Sequence, residues 1–216
     1  MEKNNGKVIA IVALLVGVVA LSVGFAAFAD ELTIAGSANA KVGANPFDDA
    51  DKGLAYLSSS PKCYVTGDTS KKAIDGASVG TASGDAWSGI SVPLTKDAPS
   101  VTCEAVVENK TSYTAYLRGL VSSGGLTCTS SGANKTSNET NVCGGASATV
   151  TIGTTSINIT NAAATASNVS GSIAPTSGTE TVTVVIAYNP DVNYDEDTTI
   201  TLPTITHSYS SAERDN

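Results

Sequence analysis

The sequence is poor in the residues that most enzyme sites and nucleic-acid interfaces use. Only 15% of its 216 residues are charged, and 12 lysines and arginines stand against 20 aspartates and glutamates. A net charge of −8 repels nucleic acids and anionic membrane surfaces, so neither is expected as a partner. His207 is the only histidine, which excludes a zinc site of the H-E-x-x-H type. We predict no catalytic residue and no cofactor.

Long helical patterns are missing after residue 58, and the composition favours strands instead. Ser, Thr, Gly, Ala and Asn dominate, which suits β-structure with polar turns. Apolar and polar residues alternate along Val101–Val107 and Val182–Tyr188, the pattern of half-buried strands. About eight to ten such segments predict an all-β, jelly-roll-like β-sandwich over residues 45–216.

Three local expectations accompany this fold. Asn45–Lys52 has the cap, proline and aspartates of a short helix start. Residues 58–88 are rich in Gly, Ser and Asp and are expected to form loops with short strands at most. Thr198–Tyr209 is expected to be one strand, with a bulge where its apolar phase changes at Pro203.

Residues 1–29 have the three parts of a secretory signal peptide: a basic start, an apolar run and a small-residue cleavage site. The apolar run would form an N-terminal helix that enters the membrane. Cleavage after this segment predicts an extracellular or cell-surface location, with membrane contact only through the N-terminal segment. The residues predicted at the cleavage site are Ala27, Ala29 and Asp30.

Two alternatives remain for this leader. Val8–Phe28 is longer than the usual central region of a signal peptide and reaches the length of a membrane span, so it could stay as an uncleaved anchor. Gly6-Lys7 could be a prepilin cleavage site, but Ile11 stands where such leaders usually have glutamate.

Residues 30–44 read as an N-terminal strand followed by a hinge. One face of residues 31–42 is apolar or small throughout, and the other is mostly polar. Such a strand can leave its own domain and complete the sheet of another subunit, as a donor strand. The alternative is that it packs within its own domain. The face predicted to be buried consists of Leu32, Ile34, Gly36, Ala38, Ala40 and Val42.

Four cysteines in an exported chain predict two disulfides. They are Cys63, Cys103, Cys128 and Cys143, and sequence alone leaves three pairings open. We favour Cys63 with Cys103, and Cys128 with Cys143, because the second pair closes a polar loop with little apolar matter to hold it. A zinc site is the disfavoured rival, since the spacings are not C-x-x-C.

Asp191, Asn193 and Asp195 resemble the first half of a calcium-binding loop. Alternating oxygen ligands can converge on one hard cation. However, Glu196 replaces the glycine that such loops need, and Leu202 stands at the position of the bidentate glutamate. A solvated acidic turn is therefore the favoured interpretation, and calcium the minor one.

Two further motifs are explained by composition. Gly76-Ala-Ser78-Val-Gly80 matches the G-x-S-x-G nucleophile elbow, but a turn sequence follows where the motif requires a helix, so we interpret it as a chance match. We expect His207 to be a structural residue of its strand. Five N-x-S/T sequons occur, at Asn109, Asn134, Asn138, Asn158 and Asn168, and they act as glycosylation sites only in a host with the machinery.

Several stretches share features with one family of exported proteins. They are Gly24–Asp30 followed by Leu32-Thr-Ile34, then Pro99–Thr102, Val106–Thr111, Ala115–Leu117 and Thr201–Tyr209. Together they resemble TasA/camelysin-type proteins, and the likeness covers residues 20–42, 90–120 and 180–210. The resemblance implies a jelly-roll domain and secreted biofilm fibres, in which an N-terminal strand completes the sheet of the next subunit. The four cysteines and the insertion at 58–88 depart from the family. Camelysins are also described as metalloproteases, and this chain has no matching ligand set.

The sequence therefore predicts a secreted, non-enzymatic structural protein. We expect it to assemble with itself into surface fibres, pilus-like structures or biofilm matrix through strand exchange, with other matrix components as further partners. The alternative is a membrane-anchored cell-surface adhesin or ligand-binding β-sandwich. A secreted hydrolase ranks below both.

Overall fold

Alternating apolar and polar residues build two antiparallel β-sheets. A computed structural model of the protein describes residues 46–48, 51–94, 100–130, 144–166, 168–188 and 198–212, all within the unit Asn45–Asn216. The predicted N-terminal helix lies outside these residues. The described strands are β1 Leu54–Tyr56, β2 Lys62–Val65, β3 Ser78–Ser83, β4 Ala86–Leu94, β5 Ser100–Asn109, β6 Ala115–Ser122, β7 Thr127–Ser130, β8 Ser147–Ile152, β9 Thr155–Ile159, β10 Ser172–Ile173, β11 Gly178–Ala187, β12 Thr198–Thr201 and β13 Ile205–Ser210.

The first sheet has six strands. β5 lies between β11 and a broken edge made of β1 and β2, β11 pairs with β8, and β8 pairs with β9. In the second sheet, which has seven described strands, β4 lies between β3 on one side and both β12 and β13 on the other. β12 pairs in turn with β7, β13 pairs with β6, and β6 pairs with β10. From β4 onward the chain passes repeatedly between the two sheets.

The inner faces of both sheets form one apolar core, as expected for a β-sandwich. On β5, residues at every second position are buried, and the same alternation holds on β8, β9 and β11. Each large side chain buried in this way contributes roughly 1.5–3 kcal/mol of hydrophobic free energy. Among the side chains with 0% exposure are Trp87, Ile90, Leu120, Ile159, Ile186, Ile200 and Ile205. The predicted all-β, two-sheet architecture is confirmed.

Residues 58–88 were expected to form loops with short strands at most, but they contribute to a hairpin that the sequence pattern did not predict. β3 and the first part of β4 pair through this stretch, with Gly80 and Gly89 facing each other and both at positive φ, 68° and 73°. An added Cβ at Gly80 would lie 2.1 Å from the Ser88 carbonyl oxygen, so only glycine fits there. The bend at Gly89 shifts the buried phase from Trp87 to Ile90, which hides the alternation in the sequence.

Two other local expectations were wrong. The described residues of the predicted helix start form turns. Thr198–Tyr209 is divided into β12 and β13 by a break around Pro203, and both halves pair with β4. A proline cannot donate to a strand ladder, so the strand ends there instead of bulging.

Cys63 and Cys103 form the first predicted disulfide. The two residues lie directly opposite each other in the pairing of β2 with β5, with Cα atoms 4.1 Å apart, and both are buried. The bond therefore joins the short strand β2 to the long central strand β5. Cys128 is also disulfide-bonded. Its predicted partner, Cys143, lies outside the described residues.

Asn109, at the end of β5, ties three chain segments together. Its fully buried amide nitrogen donates to the carbonyl oxygens of Tyr113, Ile173 and Ala174, at 2.8, 3.2 and 3.1 Å. Its amide oxygen accepts from the backbone N–H and the hydroxyl of Thr111, at 3.0 and 2.8 Å. Every polar atom of this side chain is therefore used to hold the loops at one end of the sandwich.

The disulfide predicts a measurable loss of stability when it is removed. Replacing both cysteines, as Cys63→Ala with Cys103→Ala, should lower the free energy of unfolding by about 4 kcal/mol, because the unfolded chain gains the freedom of a loop of about 40 residues. Urea denaturation of the oxidised protein measures this difference. Reductant should lower the stability of the wild type, so the difference in free energy of unfolding between the wild type and the double variant should become smaller. An equal stability of both oxidised proteins would contradict the prediction.

Asn109 gives a second prediction. Asn109→Ala leaves buried carbonyl groups without donors and should lower the free energy of unfolding by about 3 kcal/mol. Asn158→Ala is the matched control, since Asn158 is exposed and should change stability by less than about 0.5 kcal/mol. Urea denaturation compares the two, and similar values for both variants would show that the Asn109 contacts carry no special weight.

Candidate functional site

Most of the residues predicted from sequence to carry function lie outside the described part of the chain. These predictions therefore stay predictions. They concern the cleavage site at Ala27, Ala29 and Asp30, the donor strand with Leu32, Ile34, Gly36, Ala38, Ala40 and Val42, and the calcium ligands Asp191, Asn193 and Asp195.

The G-x-S-x-G match does not form a nucleophile elbow. Ser78 is the first residue of β3, whereas the elbow requires a sharp turn between a strand and a helix. The Ser78 hydroxyl donates to the Gly89 carbonyl oxygen at 3.2 Å and accepts from the Gly80 N–H at 3.3 Å. Both contacts belong to the β3–β4 hairpin, so the composition of this Gly- and Ser-rich stretch explains the motif.

His207 lies in the core between the two sheets. Its Nε2 atom is 2.7 Å from the hydroxyl oxygen of Tyr56, which belongs to the opposite sheet. The rings of Tyr56 and Tyr209 pack against the imidazole with centroids 5.3 and 5.4 Å away, and Trp87 packs against Tyr56. This aromatic cluster connects β1 of the first sheet to β4 and β13 of the second.

Burial keeps the cluster uncharged at neutral pH. Removal from water lowers the pKa of His207 to about 4 and raises the pKa of Tyr56 and of Tyr209 above the ordinary tyrosine value. His207 Nδ1 makes no hydrogen bond to any residue that the structure describes. The geometry matches the structural role predicted for this histidine.

The described residues contain few features of a small-molecule site. No group of three or more His, Cys, Asp or Glu side chains in this part of the chain could hold a metal ion. A small cleft beside the β8–β9 turn is lined by Leu117, Ile152, Ile173, Glu180 and Tyr209, with room for about one water molecule. Among the same residues, no helix has the length and apolarity needed to cross a membrane.

The edge of the first sheet at β9 is the most distinctive interaction feature. β8 and β9 are joined by a two-residue turn, so Ile152 pairs directly with Thr155. In such a hairpin the backbone groups of alternate residues face the partner strand. The N–H and C=O groups of Ser156 and Asn158 therefore point away from β8, and within the described part of the chain neither residue has a hydrogen bond on that side.

Apolar side chains near this edge are only partly covered. Leu126 follows β6, and its N–H donates to the carbonyl oxygen of Thr160, directly after β9, at 2.6 Å. Leu126 and Ala164 pack against the core and are partly buried. Ala164 lies beside β6, where its carbonyl oxygen accepts the Ser122 N–H at 2.8 Å. An open backbone edge beside incompletely buried apolar groups is where an added strand gains both hydrogen bonds and burial.

Sequence reasoning missed this edge for a physical reason. The alternation along Thr155–Ile159 predicts a strand, but nothing in it states whether one neighbour or two will pair with it. Which strands end a sheet is decided by the pairing of distant segments. The two-residue turn at Gly153 was the available signal, because it fixes which backbone groups of β9 face outward.

Comparison with known proteins adds no relative. No protein-family model, no curated protein sequence and no solved structure matches the chain. The class that the described residues define is a two-sheet antiparallel β-sandwich with a disulfide and with β9 at one edge of the first sheet.

The buried histidine gives a prediction about pH. The folded-state pKa of His207 lies below the value near 6.5 of an unfolded chain, so the unfolded state takes up the proton first as pH falls. Its contribution to stability is complete above about pH 6.5 and is lost progressively as the pH falls towards 4, by up to about 3 kcal/mol.

His207→Gln tests this effect, because glutamine does not titrate. The free energy of unfolding, measured by urea denaturation between pH 7.5 and 4, should fall more steeply for the wild type than for the variant. Carboxylates affect both proteins alike and cancel in the difference. Parallel pH profiles would contradict the assignment, whatever the variant's stability at neutral pH.

Proposed function

We propose that this is a secreted structural protein that polymerises into extracellular fibres by exchange of its N-terminal strand. The observation that carries the proposal is the edge at β9, where the outward backbone groups of Ser156 and Asn158 bond to no other residue that the structure describes. A strand from another copy would satisfy these groups and extend the first sheet across the subunit boundary.

The predicted donor has the pattern that such an edge requires. Residues 31–42 alternate between an apolar face and a mostly polar face. Paired with β9, the apolar face would cover the partly buried side chain of Leu126, and the polar face would continue the outer surface. The small residues Gly36 and Ala38 allow a close approach where the two sheets converge.

The edge of the second sheet at β3 is less suited to strand addition. On β3 the Val79 carbonyl oxygen accepts the Trp87 indole N–H at 2.8 Å, and the Gly80 N–H donates to Ser78. Gly80 also has a left-handed conformation that distorts the strand. Occupied backbone groups and local distortion are common ways to protect a sheet edge. We therefore assign β9 as the acceptor.

The strand order supports a jelly roll as the finer description of the fold. The central orders are β4, β12/β13, β6/β7, β10 in one sheet and β5, β11, β8, β9 in the other. Counted as eight strand positions in chain order, consecutive positions lie in different sheets except for the β8–β9 hairpin, as in a jelly roll. β3 and the β1/β2 edge are additions to this core.

The disulfide supports export. Disulfides form and persist in oxidising compartments, so the Cys63–Cys103 bond fits a chain that leaves the cytoplasm. An extracellular or cell-surface location is part of the proposal and agrees with the predicted leader at residues 1–29.

A proline at the β9 edge tests strand exchange. Ser156→Pro removes an N–H that points away from β8, so the variant should keep its fold, since edge strands tolerate proline at such positions. It should remain monomeric where the wild type forms fibres. Size-exclusion chromatography, negative-stain microscopy and the circular dichroism spectrum measure assembly and folding on the same samples.

Ser156→Ala is the matched control, because it keeps the N–H and should form fibres like the wild type. A second variant lacking residues 30–42 should stay folded and monomeric and should bind a synthetic 31–42 peptide. Fibres of the proline variant equal to those of the wild type would exclude β9 as the acceptor. A wild-type protein that never polymerises would overturn the proposed function.

A further inference from the structure

The sequons in the described part of the chain occupy very different surroundings. Asn109 is fully buried, and all its amide atoms are bonded to the protein. Asn158 and Asn168 are exposed. The same three-residue motif is therefore closed to modification at one position and open at two.

The surroundings of the two exposed sequons are accessible as well. Asn158 lies on β9 opposite Thr149, and the hydroxyl residue of its sequon, Thr160, is exposed. Asn168 lies in the segment before β10. The third residue of its sequon, Ser170, exchanges two 2.8 Å hydrogen bonds between its backbone and the Thr155 hydroxyl, which holds this segment against β9.

The outer face of the first sheet around Asn158 has no charge to hydrate it. Charged groups cluster at the other side of this face, where Lys62 and Lys71 contact Glu104 at 3.5 and 2.8 Å. The outward positions of β8, β9 and β11 hold only small, hydroxyl-bearing, amide or apolar residues. They are Ser147, Thr149, Thr151, Ser156, Asn158, Thr179, Thr181, Thr183, Val185 and Ala187. A neutral face on an acidic protein is where bound carbohydrate would most increase hydration.

We propose that Asn158 and Asn168 are N-glycosylated during export and that Asn109 is not. The inference rests on the export part of the proposed function. The donor is an oligosaccharide linked through phosphate to a polyprenyl lipid. The asparagine amide nitrogen forms a bond to the anomeric carbon, the bond from that carbon to the carrier's phosphate oxygen breaks, the carrier phosphate leaves, and the amide proton passes to a transferase base.

A glycan at Asn158 is compatible with strand addition at β9. Side chains on a strand stand roughly perpendicular to the sheet, whereas strand pairing uses the backbone groups in its plane. The Asn158 side chain is on the outer face, with Ile157 and Ile159 buried on the inner face. The glycan therefore extends away from the sheet and leaves the outward N–H and C=O groups accessible.

Mass spectrometry of peptides from the exported native protein tests the inference. We expect a glycan mass on the peptides containing Asn158 and Asn168, and an unmodified Asn109 peptide. Thr160→Ala and Ser170→Ala keep each asparagine but destroy its sequon, so each should remove the glycan from one site only. Asn161→Gln is the control, since Asn161 is an exposed asparagine outside any sequon and should change nothing.

N-terminal sequencing of the same sample separates failure of this inference from failure of the proposed function. An exported, processed protein that is unmodified at both sites overturns the glycosylation alone. Carbohydrate found on serine or threonine only, or on Asn109, also overturns it. A protein found only inside the cell with its leader intact overturns both, whereas fibre formation by an unmodified protein leaves the proposed function standing.

Discussion

The structure depends on burying one face of each sheet against the other. A strand with alternating side chains has a single apolar face, and on β5, β8, β9 and β11 that face lies inward. Packing of the two faces removes their apolar side chains from water, and a strand in the middle of a sheet has a hydrogen-bonded neighbour on both sides. An outermost strand has a neighbour on one side only, so its outer backbone groups remain exposed wherever the sheet ends. The architecture therefore creates the edges on which its proposed assembly relies.

Three contacts stabilise parts of the sandwich that have few strand-pairing hydrogen bonds of their own. The Cys63–Cys103 disulfide fixes the four-residue strand β2, and the Tyr56–His207 hydrogen bond links the three-residue strand β1 to the opposite sheet. Asn109 fixes the loops at one end. Each contact brings together residues far apart in sequence, so each reduces the freedom of a long segment. No residue of β9 takes part in these three contacts.

The edge strands β3 and β9 differ in how their backbone groups are used. At β3 the backbone is bent at Gly80 and its groups are partly used by Trp87 and Ser78. At β9 the strand is regular, and the outward groups of Ser156 and Asn158 have no partner among the residues that the structure describes. A polymer built from one acceptor edge and one donor segment grows head to tail, because each copy offers one of each. Protection of one edge and exposure of the other is thus consistent with a fibre and disfavours lateral sheet pairing.

The sequence by itself determined the all-β class and the inner faces of the long strands, because both follow from local alternation. It favoured the Cys63–Cys103 pair but left three pairings open, and the structure decided between them. Only the tertiary structure decided that β3 and β4 form a hairpin, that the last strand breaks at Pro203, and that Asn109 is buried although its sequon reads like that of Asn158. The reason is physical. Alternation states which face of a strand is apolar, whereas burial of a polar amide and the position of a sheet edge depend on which distant strands pair.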